Sequence, residues 1–263
     1  MARCAASLGV KTGIASFVGN DFPQPYLNAL KSTQLDLSDF KILPGKTPKC
    51  WIMTDPKGGQ FSIINQGVMR DLAKHPLPTN IIQNSDYIHI MTGDPDTMIK
   101  IAQLAKQQNA KISFDPCQYT YWYNQQQCKK MLELADIIFA NENEARFILE
   151  KIGKHYEKDF MDFVDIAIIT RHDKGSTIYT DGKNVGIGVA KPATFVDQTG
   201  AGDAYRAGFY LGLSKGLDLE MCGKLAATVA SFMLEKVGTQ TNIPTLDQVK
   251  KRFSDNFGNG LEL

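Results

Sequence analysis

The chain has 263 residues, with 29 Lys plus Arg against 28 Asp plus Glu and a formal net charge of +1. So balanced a charge argues against a main partner that is a nucleic-acid backbone or an anionic membrane surface. With 43% hydrophobic and 22% charged residues, 22 Gly and 11 Pro, the composition excludes disordered, collagen-like and low-complexity chains. The length suits one large domain, or one domain with an insertion, whose core needs no staples. Five cysteines (Cys4, Cys50, Cys117, Cys128, Cys222) are scattered without a C-x-x-C pair, which is the reduced usage of a cytoplasmic protein. The histidines are equally dispersed and offer no zinc cluster. No apolar run approaches the roughly 18 residues of a membrane span.

In chain order, the stretch from Cys4 to Val10 is too short before Lys11 for a signal peptide and reads as a helix feeding a strand. Thr47–Thr54 and Gln60–Asn65 are β-rich runs joined by Asp55-Pro-Lys-Gly-Gly59, a hairpin signal. Residues 35–66 are therefore expected as a small β insertion, a lid or an oligomerisation surface, in an α/β body of residues 1–34 and 67–263. From residue 87 the pattern is regular. Strands are expected at 87–92, 111–115, 136–140 and 165–170, and helices at about 98–105, 125–135 and 142–152. Such alternation means βαβ units and a largely parallel sheet covered by helices. Helices near 201–215, 218–235 and 245–255 complete the chain.

Three nucleotide-binding look-alikes are set aside. Gly45-Lys46-Thr47 lacks the earlier P-loop glycine, which falls at Phe40, and Pro48 blocks the helix that must follow. Gly186-Ile-Gly188 and Gly200-Ala-Gly202 both lack the third dinucleotide glycine, replaced by Lys191 and Tyr205. The informative segment is Asp197-Gln-Thr-Gly-Ala-Gly-Asp203. Gly200, Ala201 and Gly202 open a helix with side chains too small to cover its N–H groups, an anion hole suited to a transferring phosphoryl group. Asp203, in the first helical turn, is placed to take the proton of an attacking hydroxyl. The same pattern also fits a helix-dipole aspartate after a flexible turn.

This segment resembles the C-terminal signature of the ribokinase-like kinases, the phosphofructokinase-B family. The resemblance extends over nearly the whole chain and implies a three-layer α/β/α sandwich with a mostly parallel central sheet and a small β lid. Asn141-Glu-Asn-Glu144 is similar to the family's N-x-x-E motif, which implies that Asn141 and Glu144 organise Mg2+; the residues alone fit a capped helix start equally well. Thr170-Arg-His-Asp-Lys-Gly175 resembles the T-x-G-x-x-G nucleotide strand, with His172 where the family has a glycine. The implied ATP contacts are Thr170, Arg171, Asp173 and Gly175, together with Thr199, Gly238 and Gln240. A monovalent cation is expected near Asp197.

Thr47–Asp55 with Gly59-Gln60 and Gln66–Met69 resembles the lid of the family's nucleoside kinases. Closure of such a lid keeps water from the γ-phosphoryl group. Trp51 and Phe61 either cover the substrate or serve lid packing or a homodimer contact. Asp115, in Phe114-Asp115-Pro116-Cys117-Gln118, is a further substrate candidate. Arg206 either steadies phosphate charge or is a solvated helix-face arginine. Ala2-x-x-x-Ala6-x-Leu8-Gly9 resembles the helix that in the family follows a first strand, a Gly-Gly pair and an asparagine; with these missing, weak substrate affinity is expected. The implied activity is ATP- and Mg2+-dependent phosphorylation of a primary hydroxyl, foremost the 5′-hydroxyl of a nucleoside. The alternatives are a sugar or sugar-phosphate kinase of the same family and a catalytically weak nucleotide-binding regulatory protein.

Overall fold

The structure, a computed structural model, describes residues 1–55 and 59–261. In chain order they form α1 (Ala2–Ser7), β1 (Ser16–Gly19), α2 (Gln24–Lys31), β2 (Phe40–Leu43), β3 (Lys49–Thr54), β4 (Gln60–Asn65), α3 (Thr79–Gln83), β5 (Tyr87–Ile90), α4 (Pro95–Gln107), β6 (Lys111–Phe114) and α5 (Gln125–Leu134). Then follow β7 (Ile137–Asn141), α6 (Glu142–Ile152), β8 (Ile166–Thr170), β9 (Ser176–Thr180), β10 (Lys183–Ile187), α7 (Ala201–Ser214), α8 (Leu219–Met233) and α9 (Leu246–Phe257). Most helix starts are written locally. Asp94 caps α4 ahead of Pro95, Asp218 caps α8, and Asn124/Gln127 and Thr245/Gln248 form capping boxes on α5 and α9.

The chain divides into two compact units, one of residues 1–12, 33–35 and 136–263, the other of residues 13–32 and 36–135. In the first, β7 and β8 run parallel, with Asn141 opposite Thr170. The chain then returns antiparallel as β9 and again as β10. Sequence reading omits this last hairpin, although Asp181-Gly182 signals it. Both residues have positive φ (43° and 69°), as a two-residue primed turn requires. Ile137, Phe139, Ile168 and Ile178 pack against Phe209 and Cys222, and Phe139 meets Phe209 edge to face at 5.4 Å. A second cluster joins Cys4 and Leu8 of the N-terminal segment to Ala207, Leu211, Leu225, Val229 and Phe253. Burial raises the thiol pKa of Cys4 to about 11 and that of Cys222 to about 12, so neither is a ready nucleophile.

In the second unit, β5 and β6 are parallel, β1 and β2 are parallel, and β3 and β4 form an antiparallel hairpin. The insertion expected over residues 35–66 is therefore divided. Residues 40–43 join β1, a pairing across more than twenty residues that no local pattern reports, and the hairpin itself begins at Lys49. The middle of its connecting turn, residues 56–58, lies outside the described residues. The hairpin's root is tied down. The Thr47 N–H donates to Asp21 Oδ1 (2.7 Å), the Gly19 N–H to Thr47 Oγ1 (3.1 Å), and the Val68 N–H to the Lys46 carbonyl (2.9 Å).

Helices α7 and α8 approach closely because Gly208 has no side chain. A Cβ there would lie 2.7 Å from Ala226 Cα and 2.9 Å from the Leu225 carbonyl oxygen. Gly208→Ala gains up to about 1 kcal/mol in helix propensity. The clash is with backbone, which no rotamer relieves, and overpacking costs about 1–3 kcal/mol. The expected outcome is a lower denaturant midpoint with an unchanged slope; a higher midpoint would mean that the helices separate freely.

Candidate active site

The candidate site is built in the first unit, on the end of β7, the end of β8 and the start of α7. Helix α7 begins on Gly200, whose backbone is left-handed (φ 87°). A Cβ on Gly200 would lie 3.0 Å from Thr239 Cβ, so conformation and contact both demand glycine. Among the described residues no side chain caps this helix. The Ala201 N–H turns back to the Gln198 carbonyl at 3.2 Å. The N–H groups of Gly202 and Asp203, next in the turn, are the open donors at the positive end of a helix buried from Ala204 to Gly212. The open N–H groups are thus those of Gly202 and Asp203, within and just beyond the Gly200–Gly202 segment singled out by sequence. Asp203 sits in that turn with its side chain 43% exposed, and the Met1 nitrogen lies 3.7 Å from its Oδ1.

Arg206, one turn on, is not a solvated helix-face residue. It is 6% exposed, and its guanidinium lies 5.5 Å from the centroid of the Phe139 ring. A Cβ on Gly202 would be 2.9 Å from Arg206 Nη1, so the glycine leaves room for the guanidinium beneath the first turn. Asp197 fixes the approach to the helix. Its Oδ1 accepts the Thr199 N–H (2.9 Å) and its Oδ2 the Gly238 N–H (3.2 Å), joining the turn before α7 to the 238–242 segment. Hydrogen bonds from the Thr199 N–H and hydroxyl, then from Gly238, hold this carboxyl below its ordinary pKa of 3.8. Gln240 Oε1 accepts from Arg3 Nη1 at 3.2 Å.

At the ends of β7 and β8, Asn141 and Glu144 form a reciprocal cap. Asn141 Oδ1 accepts the Glu144 N–H and Glu144 Oε2 accepts the Asn141 N–H, both at 2.9 Å. Thr170 lies directly across in the strand register. His172 adopts φ 49°, so the backbone takes the left-handed turn of a glycine despite the side chain, and Gly175 follows at φ 81°. A Cβ on Gly175 would lie 2.0 Å from the Ile187 carbonyl oxygen. Asp173 is exposed in this turn. The Arg171 side chain is engaged by Glu142 and Glu157. Tyr205, also on α7, shares a buried hydrogen bond of 2.7 Å with Ser176 just past this turn. Sequence reading names neither Glu157 nor Ser176, since both reach the site only through tertiary contact.

Two candidate substrate residues belong to the second unit. Asp115 is fully buried, with Oδ2 3.1 Å from His89 Nε2 and Oδ1 accepting from the Cys117 thiol at 3.3 Å. It holds the chain where β6 ends instead of facing solvent. On the hairpin, Trp51 pairs with Ile63 and Met53 with Phe61, so all four share one face. Ser62 is on the other face, where its hydroxyl accepts from Gln118 Nε2 at 3.2 Å. Trp51 (51% exposed) and Phe61 (63%) therefore face away from the 117–121 turn, and Ile52 and Ile64 face toward it.

Residues 1–246 match the pfkB family carbohydrate kinase model, and the chain belongs to that family of kinases. It is 37% identical to a nucleoside kinase of Methanocaldococcus jannaschii over 93% of this chain and 80% of that one. The solved structure of a Methanocaldococcus jannaschii nucleoside kinase, an archaeal member of the ribokinase family, superposes with a TM-score of 0.88 at 35% identity, covering 97% of this chain and 84% of that one. The Burkholderia thailandensis nucleoside kinase in complex with ADP-inosine gives 0.90 at 25% identity, over 98% and 80% of the two chains. The fold is the ribokinase fold, α/β with a mostly parallel sheet.

Asp197 supplies a pH test. Its folded-state pKa is lowered, so its contribution to stability is complete above the ordinary value and is lost as pH falls through the lower folded one. The thermal midpoint of wild type is expected to exceed that of Asp197→Asn by a constant margin near neutral pH. The margin shrinks below about pH 4. A margin independent of pH down to about pH 3 would mean that the charge of Asp197 is unimportant.

Proposed function

We propose that this kinase transfers the γ-phosphoryl group of ATP to the 5′-hydroxyl of a nucleoside. The observation that carries the reading is the uncapped first turn of α7, where the N–H groups of Gly202 and Asp203 adjoin the Asp203 carboxylate. The similarity to nucleoside kinases over most of the chain supports the choice of acceptor. As the acceptor oxygen attacks phosphorus, Asp203 takes its proton and the bond to the β-phosphate oxygen breaks, giving the phosphorylated nucleoside and ADP. The N–H groups at the helix start bind the equatorial oxygens of the group in transfer. Arg206, buried under Gly202, adds positive charge from behind the turn. Thr199, Gly238 and Gln240, braced through Asp197, and the turn from Thr170 to Gly175 with Asp173 form the ATP side.

Asn141 and Glu144 are oxygen-bearing and suit a hard cation. Their cap already engages Asn141 Oδ1 and Glu144 Oε2, and among the described residues no group of three carboxylate, imidazole or thiolate side chains gathers around a metal position. The fit is to Mg2+ held through water and the phosphates themselves. When bound, Mg2+ neutralises triphosphate charge. The carboxylate of Asp197 keeps lone-pair capacity beyond the two N–H groups and the Thr199 hydroxyl it accepts, which suits a monovalent cation there.

One face of the hairpin bears Ile52 and Ile64. Its other face, Trp51, Met53, Phe61 and Ile63, is apolar and exposed, and suits a second copy of this chain. Asp115 has a supporting role, holding the turn that follows β6 through His89 and Cys117. Reduced cysteine usage supports a cytoplasmic location, and among the described residues no helix is long and apolar enough to cross a membrane.

ADP release measured across a panel of nucleosides, sugars and sugar phosphates tests the acceptor. Turnover with nucleosides is expected, turnover with sugars alone would transfer the proposal to a sugar kinase, and no turnover would leave a nucleotide-binding protein. Asp203→Asn is expected to lower kcat by at least about 100-fold with ATP binding retained; retained turnover would remove Asp203 as the base. Trp51→Glu combined with Phe61→Glu is expected to give a monomer by light scattering where wild type is a dimer. A dimer unaffected by both changes would exclude this face.

A further inference from the structure

Arg171 stands in the nucleotide turn, where a cation suggests a phosphate contact, yet each of its three side-chain nitrogens is engaged by the protein. Nη1 donates to the Ile169 carbonyl (3.2 Å) and to Thr177 Oγ1 (2.8 Å), Nε pairs with Glu142 Oε1 (3.3 Å), and Nη2 pairs with Glu157. Tyr179 donates its hydroxyl to the same Glu157 oxygen at 2.6 Å. The side chain is only 18% exposed. One cation faces two carboxylates, so the cluster carries excess negative charge and repels a phosphate instead of attracting one.

We propose that Arg171 and Glu157 are positioning residues that set the start of α6 against the nucleotide turn, and so place Asn141 and Glu144 for the metal-bound nucleotide. The inference rests on the kinase reading above. Glu142 is the first residue of α6, directly after the Asn141 cap, and Arg171 follows Thr170, the cross-strand neighbour of Asn141. The Arg171 N–H donates to the Gly175 carbonyl at 2.7 Å, closing the turn on itself. A single planar guanidinium therefore spans β8, β9, the first turn of α6 and the 157–162 segment, a bracing that the point charge of lysine reproduces only in part. Without it, Glu142 and Glu157 lose their shared counter-ion, and the α6 start is no longer tied to the turn that faces ATP.

Calorimetric titration of the full chain with ATP, with and without Mg2+, tests this directly. Arg171→Ala is expected to weaken MgATP binding by about 10–100-fold, the range found when a group supporting metal ligands is removed, and to affect Mg2+-free ATP much less. Arg171→Lys should recover part of the loss. Glu157→Gln, which keeps the size and a hydrogen bond, should weaken MgATP in the same direction and serves if the alanine variant does not fold. Two results overturn the inference: MgATP affinity equal to wild type in both the arginine-to-alanine and Glu157→Gln variants, or equal losses with and without Mg2+, as expected of a direct phosphate contact. Wild type that binds no MgATP would instead refute the kinase reading on which the proposal rests.

Discussion

The site depends on a helix that starts without a cap. Most N-termini in this chain are closed by a side chain, as at Asp94, Asn124, Asn141, Asp218 and Thr245. Helix α7 is not, and its first turn is built from residues too small to screen the backbone. An uncapped terminus costs stability, typically about 1 kcal/mol relative to a good cap. Here it coincides with an unbroken buried run, Ala204 to Gly212, so tertiary packing and not capping holds the helix. The donors stay available because packing elsewhere makes a cap unnecessary.

The parts around that turn differ in how they are held. Asp197 fixes the entry to α7 with two backbone hydrogen bonds, and Gly200 rests on Thr239 of the same clamp. The Asn141–Glu144 cap is self-contained and local. What ties it to the nucleotide turn is the strand register of β7 and β8 together with the Arg171 cluster. In that cluster the Arg171 guanidinium pairs with two carboxylates, Glu142 and Glu157.

Much of this was legible in the sequence wherever structure is decided locally. The strands from 87 to 170 and the helices between them follow from period and caps, and the Asp197–Asp203 segment stands out as a candidate site because small residues at a helix start leave its N–H groups uncovered. What escaped was non-local. The pairing of β2 with β1 joins segments more than twenty residues apart, which moved the edge of the insertion from residue 35 to Lys49. Glu157 meets Arg171 across 14 positions and Tyr179 across 22, separations that no local pattern reports. The face on which Trp51 lies needed the register of β3 with β4 and the Gln118–Ser62 hydrogen bond. The β9–β10 hairpin lies outside the sequence expectation despite a local signal, Asp181-Gly182. His172 shows the reverse case: a side chain replaced an expected glycine, and the backbone kept the glycine conformation.

The central claim is that the N–H groups of Gly202 and Asp203 receive the phosphoryl group in transfer. Amide resonances of these two residues, followed by NMR while ADP, aluminium fluoride and a nucleoside are added as a transition-state mimic, test it most directly. Large downfield shifts of both amide protons, requiring all three components, are expected. Unshifted Gly202 and Asp203 amides in a complex that perturbs the rest of the site would contradict it.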